Sequence, residues 1–218
     1  PYVGKFLLKK DIKEMRLKVD ELIVFFFKKH FHNSDVYTGK NKLIFEVSKD
    51  YVNRFLYSEE QLIANNESLK IIATEQDLEA EIDIEGFDFP TKIKGQVDRI
   101  DELNGVTRII DYKTGKVESK DLKVKDLTTI IDEKYSKAIQ VLLYSFLYQQ
   151  NYTNKTLEGG IISFKNLKSG VLKVDFANRQ HEITVEKTEE FMSQIKILIQ
   201  EIFNLEIPFT EKIIKKNW

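Results

Sequence analysis

Three charged residues that could do chemistry together lie in one short region of the chain: Asp98, Asp111 and Lys113. Asn104 and Gly105 lie between the two aspartates, and this pair of residues favours the two-residue type I′ turn of a β-hairpin. With these two residues as the loop, Asp98 faces Asp111 across the hairpin. Lys113 shares the face of Asp111, because side chains alternate between the two faces of a strand.

Two aspartates that face each other across a hairpin repel one another and destabilise the sheet. At a separation of ~4 Å the repulsion is about 4 kcal/mol in an effective dielectric of ~20. Lys113 offsets part of this repulsion, and a divalent cation would offset the rest. Mg²⁺ prefers one or two carboxylates with waters or phosphate oxygens, and such an ion polarises a phosphoryl oxygen and lowers the pKa of bound water. The hairpin therefore predicts hydrolysis of phosphodiester bonds, and a surface hairpin with solvated charges is the alternative.

The sequence around these residues resembles the PD-(D/E)xK nuclease superfamily, and within it the RecB/AddB exonuclease branch. Residues 95–101 read Gly-Gln-Val-Asp-Arg-Ile-Asp, and residues 110–115 read Ile-Asp-Tyr-Lys-Thr-Gly. Further along, Gln140 and Tyr144 resemble the Gln-x-x-x-Tyr motif of that branch. The resemblance covers about residues 70–165. It implies an α/β fold with a restriction-endonuclease-like core, in which a central mixed β-sheet is flanked by helices.

The resemblance also implies roles for individual residues. Asp98 and Asp111 would hold Mg²⁺ or Mn²⁺, with help from the backbone carbonyl of Tyr112. Lys113 would position the attacking water or stabilise the charge that develops on the phosphate.

Members of the family usually contribute one more acid from the segment just before these strands. Glu75 matches that position best, because we expect a helix or turn there that feeds the first strand. Glu79 is the alternative, and for either residue a solvated surface carboxylate is an equally good interpretation. The family also usually carries a histidine on an earlier helix, after a glycine. His30 has no such glycine before it, so we find no match in this chain.

The helix predicted over residues 133–150 places Gln140 and Tyr144 four residues apart on one face, with Lys137 on the same stripe. In the related nucleases this motif lies beside the active site, where a ring can stack on a base and an amide can bond a phosphate or orient a catalytic group. A place in the core is the alternative for a tyrosine on an amphipathic helix. We expect Lys116, Lys137 and Tyr144 to contact DNA, since phosphates dominate the affinity for nucleic acid. Acidic residues are interleaved in the segment after Lys113, so a solvated stretch of mixed charge is the alternative.

Periodicity predicts the elements that position these residues. Apolar residues recur at helical spacing over 11–31 and 48–64, and again from Val185 to Asn204. Apolar and acidic residues alternate from Leu78 to Glu85, which indicates a half-buried strand with an acidic face. We therefore divide the chain into an N-terminal helical segment, 1–69, packed on the core, and a nuclease core with C-terminal strands and a helix, 70–218.

Composition limits the classes of function. Lysine and arginine number 34 against 35 aspartates and glutamates, so any surface for nucleic acid must be a local patch. No cysteine is present, which excludes disulfides and cysteine-ligated metal centres within this span and departs from some relatives that carry a cysteine-held cluster. The apolar run from Leu22 to Phe27 is too short to cross a bilayer, so we expect a soluble, cytoplasmic protein. The chain starts at Pro1 and ends at Trp218, and we expect it to be part of a longer protein.

These observations predict a divalent-metal-dependent DNA nuclease. The resemblance implies an exonuclease domain of a RecB/AddB-type helicase–nuclease in DNA repair and recombination, with DNA and a helicase domain or subunit as partners. One alternative is a non-catalytic DNA-binding or scaffold module with the same fold. Another is a stand-alone endonuclease.

Overall fold

The computed structural model describes residues 1–31, 35–153, 156–177 and 179–210. Within these residues the helices are α1 (Lys9–Leu17), α2 (Val19–His30), α3 (Gly39–Ala64), α4 (Ser136–Asn151) and α5 (Val185–Phe203). The strands are β1 (Leu69–Ile82), β2 (Thr91–Leu103), β3 (Val106–Lys113), β4 (Lys123–Val124), β5 (Leu157–Ser163), β6 (Val171–Lys173), β7 (Asp175–Phe176) and β8 (Glu182–Ile183). The end of the predicted core, residues 211–218, lies outside the described residues.

The central sheet of the described chain has six strands and is mixed. Its order is β1-β2-β3-β5-β6, and β8 also pairs with β5. β2 is antiparallel to both β1 and β3, whereas β3 and β5 are parallel, and the chain between them contains α4. β4 and β7 form a separate two-stranded sheet. The predicted α/β fold with a central mixed sheet flanked by helices is confirmed.

Helices cover both faces of this sheet. On one face α4 packs on the sheet and α5 packs on α4, with Ile100 and Ile109 of the sheet in the same buried cluster as Leu142 of α4. On the other face α1, α2 and α3 form a second cluster with the start of β1, in which Leu56 of α3 meets Leu69. No helix in the described part of the chain has both the length and the apolar character that a bilayer crossing requires.

The predicted helix over 11–31 is two helices, because the chain turns at Lys18 between α1 and α2. The apolar stripe is interrupted at this turn. Ile12 and Val19 are buried, but Leu22 and Phe26 remain 48% and 50% exposed. The prediction of one continuous helix with one buried face was therefore wrong.

Two other elements begin earlier than their patterns indicate. α3 begins at Gly39, nine residues before the predicted start at 48. β1 begins at Leu69, whereas regular alternation becomes visible only at Leu78. Glu75 interrupts the alternation, because its backbone has a positive φ of 50° in the middle of the strand. The expectation that Glu75 lies in a helix or turn before the first strand was therefore wrong.

Candidate active site

The hairpin of β2 and β3 has the predicted turn and register. Asn104 and Gly105 have φ values of 53° and 84°, as a type I′ turn requires of its two central residues. The ladder runs from Leu103–Val106 through Asp101–Arg108 to Arg99–Ile110. The predicted two-residue loop is confirmed, and its register pairs Asp101 with Arg108.

The ladder ends one pair before Asp98 and Asp111, and a side chain continues the hydrogen bonding. Asp98 Oδ2 accepts a hydrogen bond from the backbone N of Tyr112 at 2.7 Å. Asp98 therefore reaches across to the backbone of β3, rather than forming the simple cross-strand pair with Asp111 that the sequence predicts. The alternation of side chains within β2 is disturbed here: Val97 and Ile100 both lie in the core that contains α4, although strict alternation would separate them.

Asp111 is almost completely buried, with 2% of the residue exposed. Its Oδ1 accepts a hydrogen bond from Gln140 Nε2 at 2.9 Å. Its Oδ2 lies 3.0 Å from Lys113 Nζ, but it has no well-directed hydrogen bond from any described residue. Burial raises the pKa of Asp111, Lys113 lowers it, and Asp98 raises it further. Among the described residues, one oxygen of the Asp111 carboxylate therefore receives no well-directed hydrogen bond.

Gln140 of α4 joins the other site residues into one set. Its Oε1 accepts a hydrogen bond from Lys113 Nζ at 2.8 Å, and its Nε2 donates to Asp111 Oδ1 and, at 3.0 Å, to Tyr144 Oη. One amide thus orients the lysine and the aspartate together. The structure brings together four of the residues that the sequence nominates, although it does not by itself assign their roles.

Close packing against α4 explains why residue 95, upstream of Asp98, is a glycine. A Cβ atom at this position would lie 2.8 Å from Cε1 of the Tyr144 ring and 3.2 Å from Cδ1 of Leu147. Only a residue without a side chain allows α4 to approach β2 this closely. The glycine therefore leaves room for the Tyr144 ring against β2.

The described residues do not gather a third acid at this site. Among the described residues, no group of three or more His, Asp or Glu side chains is placed to hold a metal ion. Glu75 is exposed and lies on β1 between the pairs Thr74–Arg99 and Gln76–Val97, which is across from Asp98.

The alternative acid, Glu79, has surface partners. It pairs with Lys92 at 3.2 Å and with Lys94 at 3.4 Å. The hydrogen bond from Lys92, with further help from Lys94, lowers the pKa of Glu79. The interpretation of Glu79 as a surface carboxylate accounts for these contacts.

The lysines that we expect to contact DNA have acidic neighbours. Lys116 Nζ lies 2.8 Å from Glu118 Oε1, and Lys137 Nζ lies 3.6 Å from Asp121 Oδ2. The hydrogen bond from Lys116, followed by that from Lys120, lowers the pKa of Glu118 to about 2. These contacts fit the alternative of a mixed-charge surface, and contact of Lys116 and Lys137 with DNA stays a prediction.

The sequence did not predict a group of buried charged side chains on the other face of the sheet. Arg99 Nη2 lies 2.9 Å from Glu59 Oε2 on α3, and Arg99 Nε donates to Asp101 Oδ2 at 2.7 Å. Arg108 Nε donates to the other oxygen of Asp101, and Arg99 Nη1 donates to Tyr112 Oη at 3.2 Å. The Asp101–Arg108 pair was visible in the hairpin register. The partner on α3 was not, because no local pattern links Glu59 to a strand 40 residues later.

A mixed sheet that presents Asp98, Asp111 and Lys113 beside a helix carrying Gln140 is an arrangement suited to nuclease chemistry. The sequence matches the PD-(D/E)XK nuclease superfamily over residues 10–212. The chain therefore belongs to the PD-(D/E)XK nuclease superfamily, whose members are generally nucleases that use divalent metal ions.

Other comparisons add no closer assignment. The curated proteins contain no match to this chain. Among solved structures, the chain is similar to the crystal structure of SSO0001, with 17% sequence identity, a TM-score of 0.30, and coverage of 88% of this chain and 84% of that chain. A similarity of this size carries no argument about function.

The residues present fit a divalent metal ion. Asp111 Oδ2 is a buried carboxylate oxygen that receives no well-directed hydrogen bond from a described residue, and the Asp98 carboxylate contributes to the raised pKa of Asp111. Hard cations such as Mg²⁺ bind through one or two carboxylates and complete their coordination with waters and phosphate oxygens. A third protein acid is not needed for such a site.

Proposed function

We propose that this chain is a Mg²⁺- or Mn²⁺-dependent DNA nuclease. The observation that carries the proposal is Asp111 Oδ2, a buried carboxylate oxygen that lies 3.0 Å from Lys113 Nζ and has no directed hydrogen bond from a described residue. A bound divalent ion would polarise a phosphoryl oxygen and lower the pKa of a bound water. Asp98 and Asp111 would hold this ion, with the backbone carbonyl of Tyr112 and with Glu75 as further candidates.

The residues around the ion would orient the reacting groups. Gln140 fixes the Lys113 ammonium beside Asp111, so the ammonium is held in place before a phosphate arrives. A positive charge held in this way stabilises charge that develops on the phosphate, or it positions the attacking water. Tyr144 supports Gln140 through its hydroxyl group and, at the edge of the site, offers a ring on which a base can stack.

We further propose that the chain acts as an exonuclease domain of a RecB/AddB-type helicase–nuclease in DNA repair and recombination. The sequence strings around Asp98 and Asp111 and the Gln140–Tyr144 spacing support this assignment. A helicase domain or subunit would be its partner. The exposed aromatic residues of α2 and its end, Phe25, Phe26 and Phe31, favour contact with another domain over a place in the core of this chain.

Cleavage assays on defined DNA test the proposal. We expect the wild-type protein to degrade linear single- or double-stranded DNA with Mg²⁺ or Mn²⁺ and to be inactive with a chelator. Asp98→Ala and Asp111→Ala should abolish cleavage while the protein remains folded, whereas Asp88→Ala, at an exposed aspartate of a loop, should cleave normally. Equal cleavage of closed circular DNA would favour an endonuclease over an exonuclease.

A non-catalytic DNA-binding or scaffold module is the second candidate. Two observations favour it: no third acid is gathered with Asp98 and Asp111 among the described residues, and the sequence lacks the expected histidine. Binding of DNA without metal-dependent cleavage would support this candidate and contradict the first.

A further inference from the structure

The loops that follow β3 and β5 leave the sheet at the same edge. β3 and β5 are parallel, and Lys113 at the end of β3 is the Cα partner of Ser163 at the end of β5. Ser163 Oγ donates to Gly115 O at 2.8 Å and accepts a hydrogen bond from Val117 N at 3.2 Å. The segment after Lys113 is therefore tied to the start of the segment after β5.

The segment after β5 forms one wall of a cleft whose other wall is α3. Residues 164–169 make a short 3₁₀ segment with a kink at Asn166, and the cleft between this segment and α3 has a volume of about 730 Å³. The ring of Phe164 lies 5.8 Å from the ring of Tyr112, the residue directly before Lys113. The Tyr112 side chain points to the face of the sheet opposite to Lys113, so the cleft lies on that opposite face and reaches the end of β3 from there.

The cleft is positively charged. Arg54 of α3 lines one side, Lys165 and Lys168 line the other, and no acidic residue is among its described lining residues. Lys165 and Lys168 are exposed, and neither forms an ion pair within the described residues. Arg54 is paired with Asp50 at 2.9 Å, so the two lysines are the cations most available to a ligand. Such a groove suits a chain of phosphates.

The same cleft also offers apolar surface. Tyr57 is 56% exposed although Arg16 lies 5.8 Å from the centre of its ring, and Phe164 and Leu167 contribute further apolar lining. Bases in a duplex are stacked on one another, so their faces cannot contact such side chains. Unpaired bases can, and aromatic rings beside cationic side chains are the usual means of binding single strands without sequence preference.

We propose that this cleft binds single-stranded DNA and leads the strand to the edge of the sheet where Lys113 lies. The inference rests on the proposed nuclease function and names the form of its substrate. The lysines contact phosphates, and Tyr57 stacks on a base. The contacts require no particular base, so the cleft binds single strands regardless of sequence.

The test is a binding measurement that does not depend on cleavage. Fluorescence anisotropy of a labelled oligothymidine with the full chain, in chelator, gives the affinity over a range of salt concentrations. The Lys165→Ala/Lys168→Ala variant should weaken binding and reduce the slope of log K against log salt by about 1.4, since each phosphate contact on a single strand contributes ~0.7. Tyr57→Ala should weaken binding about fivefold or more with little change in the slope.

Lys28→Ala/Lys29→Ala provides a matched control, because it removes two exposed lysines from the last turn of α2. This variant should bind like the wild type, and melting temperatures should show that all the variants are folded. An unchanged slope in the Lys165/Lys168 variant, no binding by the wild type, or equally tight binding of duplex DNA would overturn the proposal.

The same samples separate this inference from the proposed function. If the Lys165/Lys168 variant binds DNA like the wild type and shows normal metal-dependent cleavage, the cleft is not the binding site, but the proposed nuclease function stands. The expected loss of binding in a protein that never cleaves DNA would refute the nuclease and leave the cleft as a binding site.

Discussion

Two ion pairs made by α3 have the same length and differ in burial. Arg99 Nη2 lies 2.9 Å from Glu59 Oε2, with side chains 3% and 6% exposed. Arg54 Nε lies 2.9 Å from Asp50 Oδ1, with side chains 68% and 49% exposed. Substituting Glu59→Ala and Asp50→Ala on the same helix therefore compares a buried pair with an exposed one.

The expected costs differ by several kcal/mol. Without Glu59, the guanidinium groups of Arg99 and Arg108 share the single carboxylate of Asp101 in a buried setting. Burial opposes the charge of Arg99, but Glu59, Tyr112 and Asp101 together raise the pKa of Arg99 well above its usual value. Since an arginine does not lose its proton in proteins, the uncompensated charge must stay. Removing one partner of a buried pair costs about 3–5 kcal/mol, whereas an exposed pair at this helical spacing contributes about 0.3–0.5 kcal/mol.

Urea denaturation of the wild type and both variants measures these costs as free energies of unfolding. Because a domain has roughly 5–15 kcal/mol of total stability, the loss of Glu59 should be unmistakable. Glu59→Gln, which can keep a hydrogen bond but not the charge, should fall between the wild type and Glu59→Ala. A cost below about 1 kcal/mol for Glu59→Ala, or one equal to that of Asp50→Ala, would refute the reasoning about the buried network.

Four further predictions concern the candidate site. Gly95→Ala should slow cleavage by displacing the Tyr144 ring, and the added effect should largely vanish in a Tyr144→Ala background, as a double-mutant cycle of cleavage rates would show. Gln140→Ala should reduce the cleavage rate with little change in melting temperature, whereas a core role would lower the melting temperature and leave the rate per folded molecule unchanged. Lys113→Ala should lower the maximal rate far more than the affinity for DNA, and Lys113→Arg should not restore it fully. Burial raises the pKa of folded Asp111 above its value of ~3.9 in the unfolded chain, so the metal-free wild type loses stability as the pH rises and Asp111 ionises. An asparagine at this position does not ionise. The stability of metal-free Asp111→Asn relative to the wild type should therefore be greater at pH 7 than at pH 4.

The hairpin was predictable because its information is local. The Asn104–Gly105 turn sets the register of β2 against β3, and the register determines which residues face each other. The pairing of Asp101 with Arg108 follows from it. The pairing of Asp98 was less predictable. Its side chain turns to the backbone of Tyr112 where the strand departs from regular alternation, and no composition rule marks such a departure.

The periodicity of the sequence does not predict contacts between elements that are distant along the chain. The spacing of Gln140 and Tyr144 showed that they share a helix face, but only the packing of α4 on the sheet brings Gln140 to Asp111 and Lys113. The buried pair of Glu59 and Arg99 depends in the same way on how α3 crosses the sheet. The early start of β1 was hidden because the positive φ at Glu75 interrupts its pattern.

Calorimetric titration of the metal-free protein with Mn²⁺ tests most directly whether the two aspartates form a metal site. The wild type and the Asp88→Ala control should bind the ion with equal affinity. Asp98→Ala and Asp111→Ala should each lose this binding, because either substitution removes one of the two carboxylates that offset the charge of the ion. Binding of Mn²⁺ by both of these variants with wild-type affinity would contradict the account.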